Sequence, residues 1–305
     1  MRIALLLPLL CACAEAPPAS PASPMEETRY WLEVCAAHGY SQVETAMATG
    51  REAAEVASLQ ARLGIKPPPK PPSQLLLLPY PGGRHPRIGF LEGAIDPHRD
   101  TKCSVFLPWE GGGYAVIDVP EAVWCEKQLV YLAHTHIPTK WDKQGVKLDR
   151  IDWTRGAGGL LTSQRRLPDG LEFSVRVERA PDGARMELRL KNGGDRTLTG
   201  LRAQVCVMLK GAPGFNAQTK ENKLKIESSG VCAVRSDDGK RWIATVFEKP
   251  RLWENPPCPC IHADPFFADL APGEETVSRG RLFVYEGEDL QAEVARRAAA
   301  GTLLR

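Results

Sequence analysis

An excess of either charge is missing from this chain: 39 lysines and arginines stand against 37 aspartates and glutamates, a formal net charge of +2 over 305 residues. That balance argues against a nucleic-acid partner, which needs a concentrated basic surface. A membrane-spanning run is missing as well. The apolar stretch Ile3 to Leu10 falls far short of the ~20 residues that a spanning helix requires. There is no Walker loop, no G-x-G-x-x-G, no G-x-S-x-G elbow and no H-E-x-x-H, which disfavours nucleotide-dependent, serine-hydrolase and zincin chemistry. What is present is ordinary for a globular protein: 43% hydrophobic and 25% charged residues, enough to bury one large core or two modest ones. The 26 prolines and 27 glycines are in modest excess and favour a turn-rich fold.

The short Met1-Arg2 head and the apolar run after it have the form of a signal peptide. Leu10-Cys11-Ala12-Cys13 resembles a bacterial lipobox, with a Leu three residues before the cysteine and a small residue just before it. The resemblance implies an exported lipoprotein of the cell envelope, anchored in the membrane by lipid on Cys13, with plain secretion as the alternative. On this reading residues 1–12 are the signal, and the Pro/Ala/Ser-rich 13–24 cannot form a core and read as a tether. Beyond the lipid-bearing Cys13, seven cysteines remain in the mature chain, an odd number that gives no disulfide map.

Residues 25–65 are Ala-rich, with apolar positions three and four apart, and predict two or three short helices broken near Gly39 and Gly50. Consecutive prolines mark 66–74 as a linker. From 75 to 286 the signals are β. Phe173 to Glu178 and Met186 to Lys191 alternate apolar and polar about Pro181-Asp182-Gly183, which predicts a hairpin. Further turn clusters recur between closely spaced short strands. The expected fold is mainly β: a large antiparallel β-sandwich with an N-terminal helical segment and, over 287–305, a C-terminal helix. In the strand Leu201 to Lys210 the odd positions are apolar, so Arg202, Gln204, Cys206, Met208 and Lys210 share the other face. That face either lines a ligand cleft or is solvated.

The stretch Met186 to Leu209, with Leu-Arg-Leu-Lys-Asn-Gly-Gly-Asp-Arg-Thr-Leu between two strands, resembles the hairpin of galactose-mutarotase-like supersandwich domains. The resemblance implies a supersandwich fold and a carbohydrate ligand. The mutarotase His and Glu pattern has no match here, so it does not extend to epimerisation itself. Tyr80 to Phe90 and Asn255 to Pro265 are also similar to segments of secreted bacterial proteins that lend no activity.

Three constellations can carry chemistry. His134 and His136, two residues apart, project from one face if they lie on a strand and can supply acid and base or bind a metal. Cys258-x-Cys260-x-His262-x-Asp264 is held in a proline-rich loop; its thiols read as a disulfide or as buried free groups ahead of metal ligands, and the rigid loop can also present His262 and Asp264 to a ligand. A divalent metal such as zinc is possible there but not favoured, because no second Cys-rich cluster completes the shell. His134, His136, His262 and Asp264 are therefore the candidate catalytic set, expected to converge on one cleft. The third group is charged: Glu92, His98, Arg99 and Lys102 can bind substrate, with Arg99 and Lys102 suited to a carboxylate or a developing oxyanion. Trp141 and Lys210 join the substrate-binding candidates; Trp109, Trp124, Trp153 and Trp253 offer further rings for sugar stacking. The leading function is an exported carbohydrate-active protein, a hydrolase, lyase or epimerase; the alternative is a non-catalytic carbohydrate- or envelope-binding lipoprotein. Neither nucleic acid nor nucleotide is expected as a partner.

Overall fold

Two-residue alternation, repeated from Leu76 to Glu286, generates the framework. The computed structural model describes residues 24–37, 40–66, 75–80, 101–133, 137–149, 151–254 and 258–305. Three helices come first: α1 (Pro24–Ala37), α2 (Gln42–Thr49) and α3 (Ala53–Leu63). Then come β1 (Leu76–Pro79), β2 (Lys102–Phe106), β3 (Tyr114–Cys125), β4 (Gln128–Leu132), β5 (Thr154–Arg155), β6 (Leu161–Arg166), β7 (Leu171–Ala180) and β8 (Gly183–Asn192). The rest are β9 (Arg202–Met208), β10 (Lys223–Ile226), β11 (Val231–Arg235), β12 (Arg241–Phe247), β13 (Pro250–Glu254), β14 (Cys260–Pro265), β15 (Glu275–Glu286) and the final helix α4 (Leu290–Ala299). No described helix is long and apolar enough to cross a membrane.

The strands form two antiparallel sheets. One has the order β1-β2-β3-β9-β14-β13, with β4 also paired to β3; the other runs β10-β11-β12-β15-β8-β7-β6-β5. The predicted hairpin is β7–β8, paired from Leu171 with Asn192 to Ala180 with Gly183. The inward residues of both sheets meet in one core: Phe173, Val175, Leu188 and Leu190 from the eight-stranded sheet pack with Val105, Ile117, Val205, Val207 and Ile261 from the other. Burying each such side chain contributes about 1.5–3 kcal/mol, which fixes which face of every strand points inward.

Helices cover part of both outer faces. Leu290 and Val294 of α4, whose N-terminus is capped by the Asp289 carboxylate, pack on Val231, Ala233, Trp242 and Phe283 of the eight-stranded sheet. At the other end of the chain, Ser41 and Glu44 form a reciprocal capping box that starts α2, and Gly50 in the left-handed conformation ends it. Trp31, Cys35 and Tyr40 pack over Phe106, Tyr114, Cys206 and Met208 on the outer face of the seven-stranded sheet. The Tyr40 hydroxyl donates to Ser104 Oγ at 2.6 Å, tying the helical segment to β2.

Candidate functional site

The register of the seven-stranded sheet writes a polar row across its outer face. Lys102 stands opposite Asp118, Asp118 opposite Cys206, Cys206 opposite His262, and His262 opposite Trp253. On one side of this row the face is roofed by the N-terminal helices and is rich in sulfur, with Cys206, Met208 and Cys260 all buried. On the other side it opens into a cleft of about 180 Å³ lined by Trp124, Arg202, Gln204, Arg251, Trp253, Asp264 and Phe266. The outer face of β9 thus answers both readings of its alternation in part: Arg202 and Gln204 line a cleft, while Cys206 and Met208 are covered.

Aromatic walls distinguish this cleft. The Arg202 guanidinium lies 4.4 Å from the centroid of the Trp124 ring, which pre-orients both. Trp253 stacks on His262 with ring centroids 3.8 Å apart and 19° between planes. Phe266 is 53% exposed, an apolar ring left facing solvent at the rim. A larger hollow, about 350 Å³, lies among Thr154, Thr162, Gln164, Arg176 and Glu187 on the eight-stranded sheet, but it has no aromatic wall and no buried titratable group. The smaller cleft is therefore the stronger candidate.

Asp264 lines the cleft, and His262 lies buried behind it, stacked on Trp253. His262 Nδ1 is 3.4 Å from Asp264 Oδ1 and 4.0 Å from Glu121 Oε2, and Nε2 is 3.6 Å from Cys260 Sγ. Asp264 is itself fixed: Oδ1 accepts from the Val205 backbone N–H and Oδ2 from the Trp253 indole. Burial alone would push the imidazole pKa down, but the neighbouring Cys206 and Asp264 outweigh it and bring His262 up to about 10.

The other sequence candidates are placed differently. Lys102 is fully buried; its ammonium donates to the Ala133 carbonyl at 2.6 Å and lies 3.7 Å from Asp118 Oδ2, which makes it an internal counter-charge rather than a cleft-lining group. Trp141 is a core residue whose indole donates to the Val130 carbonyl, so its rings are not offered to a ligand. Trp153 is likewise in the core, while Trp109 stacks on Phe215. Lys210 is exposed beyond the end of β9, six residues and so roughly 20 Å along the strand direction from Gln204. Glu92, His98, Arg99, His134 and His136 lie outside the described residues. The candidate list omitted Glu121, Arg251 and Phe266. Arg251 and Asp264 are cross-strand partners on a short hairpin, a pairing that the alternation of 250–254 hints at but does not align.

No protein-family model matches the chain, and no curated protein matches it in sequence. Among solved structures it is similar to a candidate aldose 1-epimerase from Escherichia coli K12, at 11% identity and a TM-score of 0.36, over 61% of this chain and 97% of that one. It is also similar to a polysaccharide lyase, at 12% identity and a TM-score of 0.36, over 65% of this chain and 32% of the other. A candidate kojibiose phosphorylase from the human microbiome gives 9% identity and a TM-score of 0.38, over 64% of this chain and 27% of that protein, so the chain spans about a quarter of its length. These neighbours carry names of carbohydrate-active enzymes. The residues of the cleft take no role from them.

Proposed function

We propose that the protein is an exported carbohydrate-active protein that takes a sugar in the cleft between Trp124 and Trp253. The observation that carries this reading is the combination of aromatic walls with hydrogen-bonding groups: Trp124, Trp253 and Phe266 surround Arg202, Gln204, Arg251 and Asp264. A pyranose has apolar C–H faces and a belt of hydroxyls. Rings match the first, and guanidinium, amide and carboxylate groups match the second. Two guanidiniums against one carboxylate leave the lining with one net positive charge, which favours a sugar bearing a carboxylate, since Arg pairs with that group in bidentate fashion.

Hydrolase, lyase or epimerase chemistry needs a group that moves a proton. Asp264 lines the cleft with His262 and Glu121 buried behind it, and His262 with Asp264 remains the acid/base pair that this reading assigns, joined by His134 and His136 from the sequence. A second reading, non-catalytic glycan binding, is favoured by the fixed state of Asp264, both of whose oxygens already accept hydrogen bonds. A panel of neutral and uronic-acid oligosaccharides and polysaccharides, read for binding and product release together, tests both. Binding with turnover supports an enzyme, binding alone supports the second reading, and neither on any glycan overturns the sugar assignment. Anchoring at Cys13 belongs to the same proposal. Mass spectrometry of membrane-extracted protein should find a diacylglyceryl group on that residue, and an unmodified N-terminus further along the chain would replace anchoring by secretion.

A further inference from the structure

We propose that Cys206, Cys260 and His262 form a binding site for one soft, thiophilic d10 metal ion, with monovalent copper the favoured occupant. The donors come from adjacent strands, β9 and β14: Cys206 is directly across from His262, and Met208 is across from Cys260. All three are buried, and one ligand atom from each lies within 4.8 Å of the other two. Sγ of Cys260 and Nε2 of His262 are 3.6 Å apart. An ion held at ~2.3 Å from sulfur and ~2.0 Å from nitrogen keeps its donors roughly 3.5–4 Å from one another, so small side-chain rotations close this trio around it. The second cluster that the Cys258-to-Asp264 segment lacks in sequence is supplied by one residue of β9, 54 positions before Cys260. Cys258 is not among the three.

The surroundings of the imidazole point the same way independently. With Nε2 towards the thiols, Nδ1 faces Asp264 and Glu121 at 3.4 and 4.0 Å, and Asp264 is locked in place by Val205 and Trp253. A carboxylate on the far nitrogen is the arrangement that orients a ligating histidine and strengthens it as a donor. The choice of ion follows from the donor set. Thiolate, thioether and imidazole select soft ions over magnesium or calcium. A structural zinc shell takes four donors, whereas this trio offers three, and Met208 adds a thioether to the same dry face, under Trp31 and Tyr40. The site lies beneath the floor of the cleft and does not depend on sugar binding there, although an ion on His262 Nε2 takes that imidazole out of the acid/base pair.

The test titrates the full chain, kept reduced, with Cu(I) against a chromophoric Cu(I) chelator and, separately, with Zn(II), counting metal per chain. The expected result is one ion per chain, held more tightly for copper, lost in Cys206→Ser and in His262→Gln and retained in Cys258→Ser. X-ray absorption of the copper-loaded wild type should show sulfur and imidazole scatterers, a readout that needs no variant to fold. Zinc held at one per chain with the same dependence supports the site and overturns the copper assignment. No ion retained against the competitor, uptake undiminished in the Cys206 and His262 variants, or a Cys206–Cys260 disulfide in the reduced preparation overturns the proposal.

Discussion

Replacing Lys102 by Met should destabilise the protein by about 3–5 kcal/mol, and adding Asp118→Leu to the same chain should restore much of that loss. Both side chains are completely buried, with Nζ 3.7 Å from Asp118 Oδ2. At an effective dielectric of ~20 that separation is worth about 4 kcal/mol of attraction. The ammonium also donates to the Ala133 carbonyl, and Asp118 Oδ1 accepts from the Thr101 hydroxyl at 2.9 Å. Removing one partner strands a desolvated charge, which typically costs 3–5 kcal/mol, whereas removing both also removes the desolvation penalty. Against a total stability of ~5–15 kcal/mol the single change is severe. Urea unfolding of the wild type, each single variant and the double variant gives the coupling energy directly. The reasoning is refuted if either single variant loses less than about 1 kcal/mol, or if the double variant loses the sum of the two. An accessible, ligand-binding Lys102 would instead give a near-neutral single change and a loss of binding.

Truncating Trp124 or Trp253 to Ala should each weaken glycan binding by about tenfold, as loss of a stacking surface of this kind is worth roughly 1–2 kcal/mol; calorimetric titration against the best ligand of the panel checks it, and unchanged affinity in both removes the cleft from the sugar site. Gly280 stands across from Phe247, whose ring atoms lie as close as 2.3 Å to where a β-carbon would sit, so Gly280→Ala should lower stability by about 1–3 kcal/mol in thermal melts. At Asp182, burial pushes the carboxyl pKa up, but hydrogen bonds from Arg297 and Arg281 outweigh it and hold the group below its ordinary value. The depressed value means that this contribution is fully present above the unfolded carboxylate pKa of ~3.9 and is lost as pH falls through the folded one. Asp182→Asn should therefore cost about 1–2 kcal/mol at pH 7, with the gap to wild type closing in strong acid; a gap independent of pH contradicts the ion-pair account.

Local pattern carried the fold. Period-two alternation about Pro181-Asp182 is enough to specify β7 and β8, because only one register buries Phe173, Val175, Leu188 and Leu190 together. The caps of α2 and α4 are written in four-residue windows, Ser41 to Glu44 and Asp289 to Ala292. The face of β9 was legible for the same reason: alternation places Arg202, Gln204, Cys206 and Met208 together without any knowledge of neighbours.

Strand order and register decided the rest. No local rule sets β14 beside β9, so the meeting of Cys206 with His262 across 56 residues, and of Asp264 with the Val205 backbone, belongs to the sheet alone. The same pairing made Lys102, a candidate substrate-binding cation by sequence, the buried partner of Asp118, since composition shows a charge but not which strand lies opposite. Trp141, equally suited by type to a sugar or to a core, went to the core because its indole finds the Val130 carbonyl there. A sequence fixes which side chains share a face, through the geometry of one strand. Which faces share a site depends on contacts between strands far apart in the chain, and those are set by how the whole core packs.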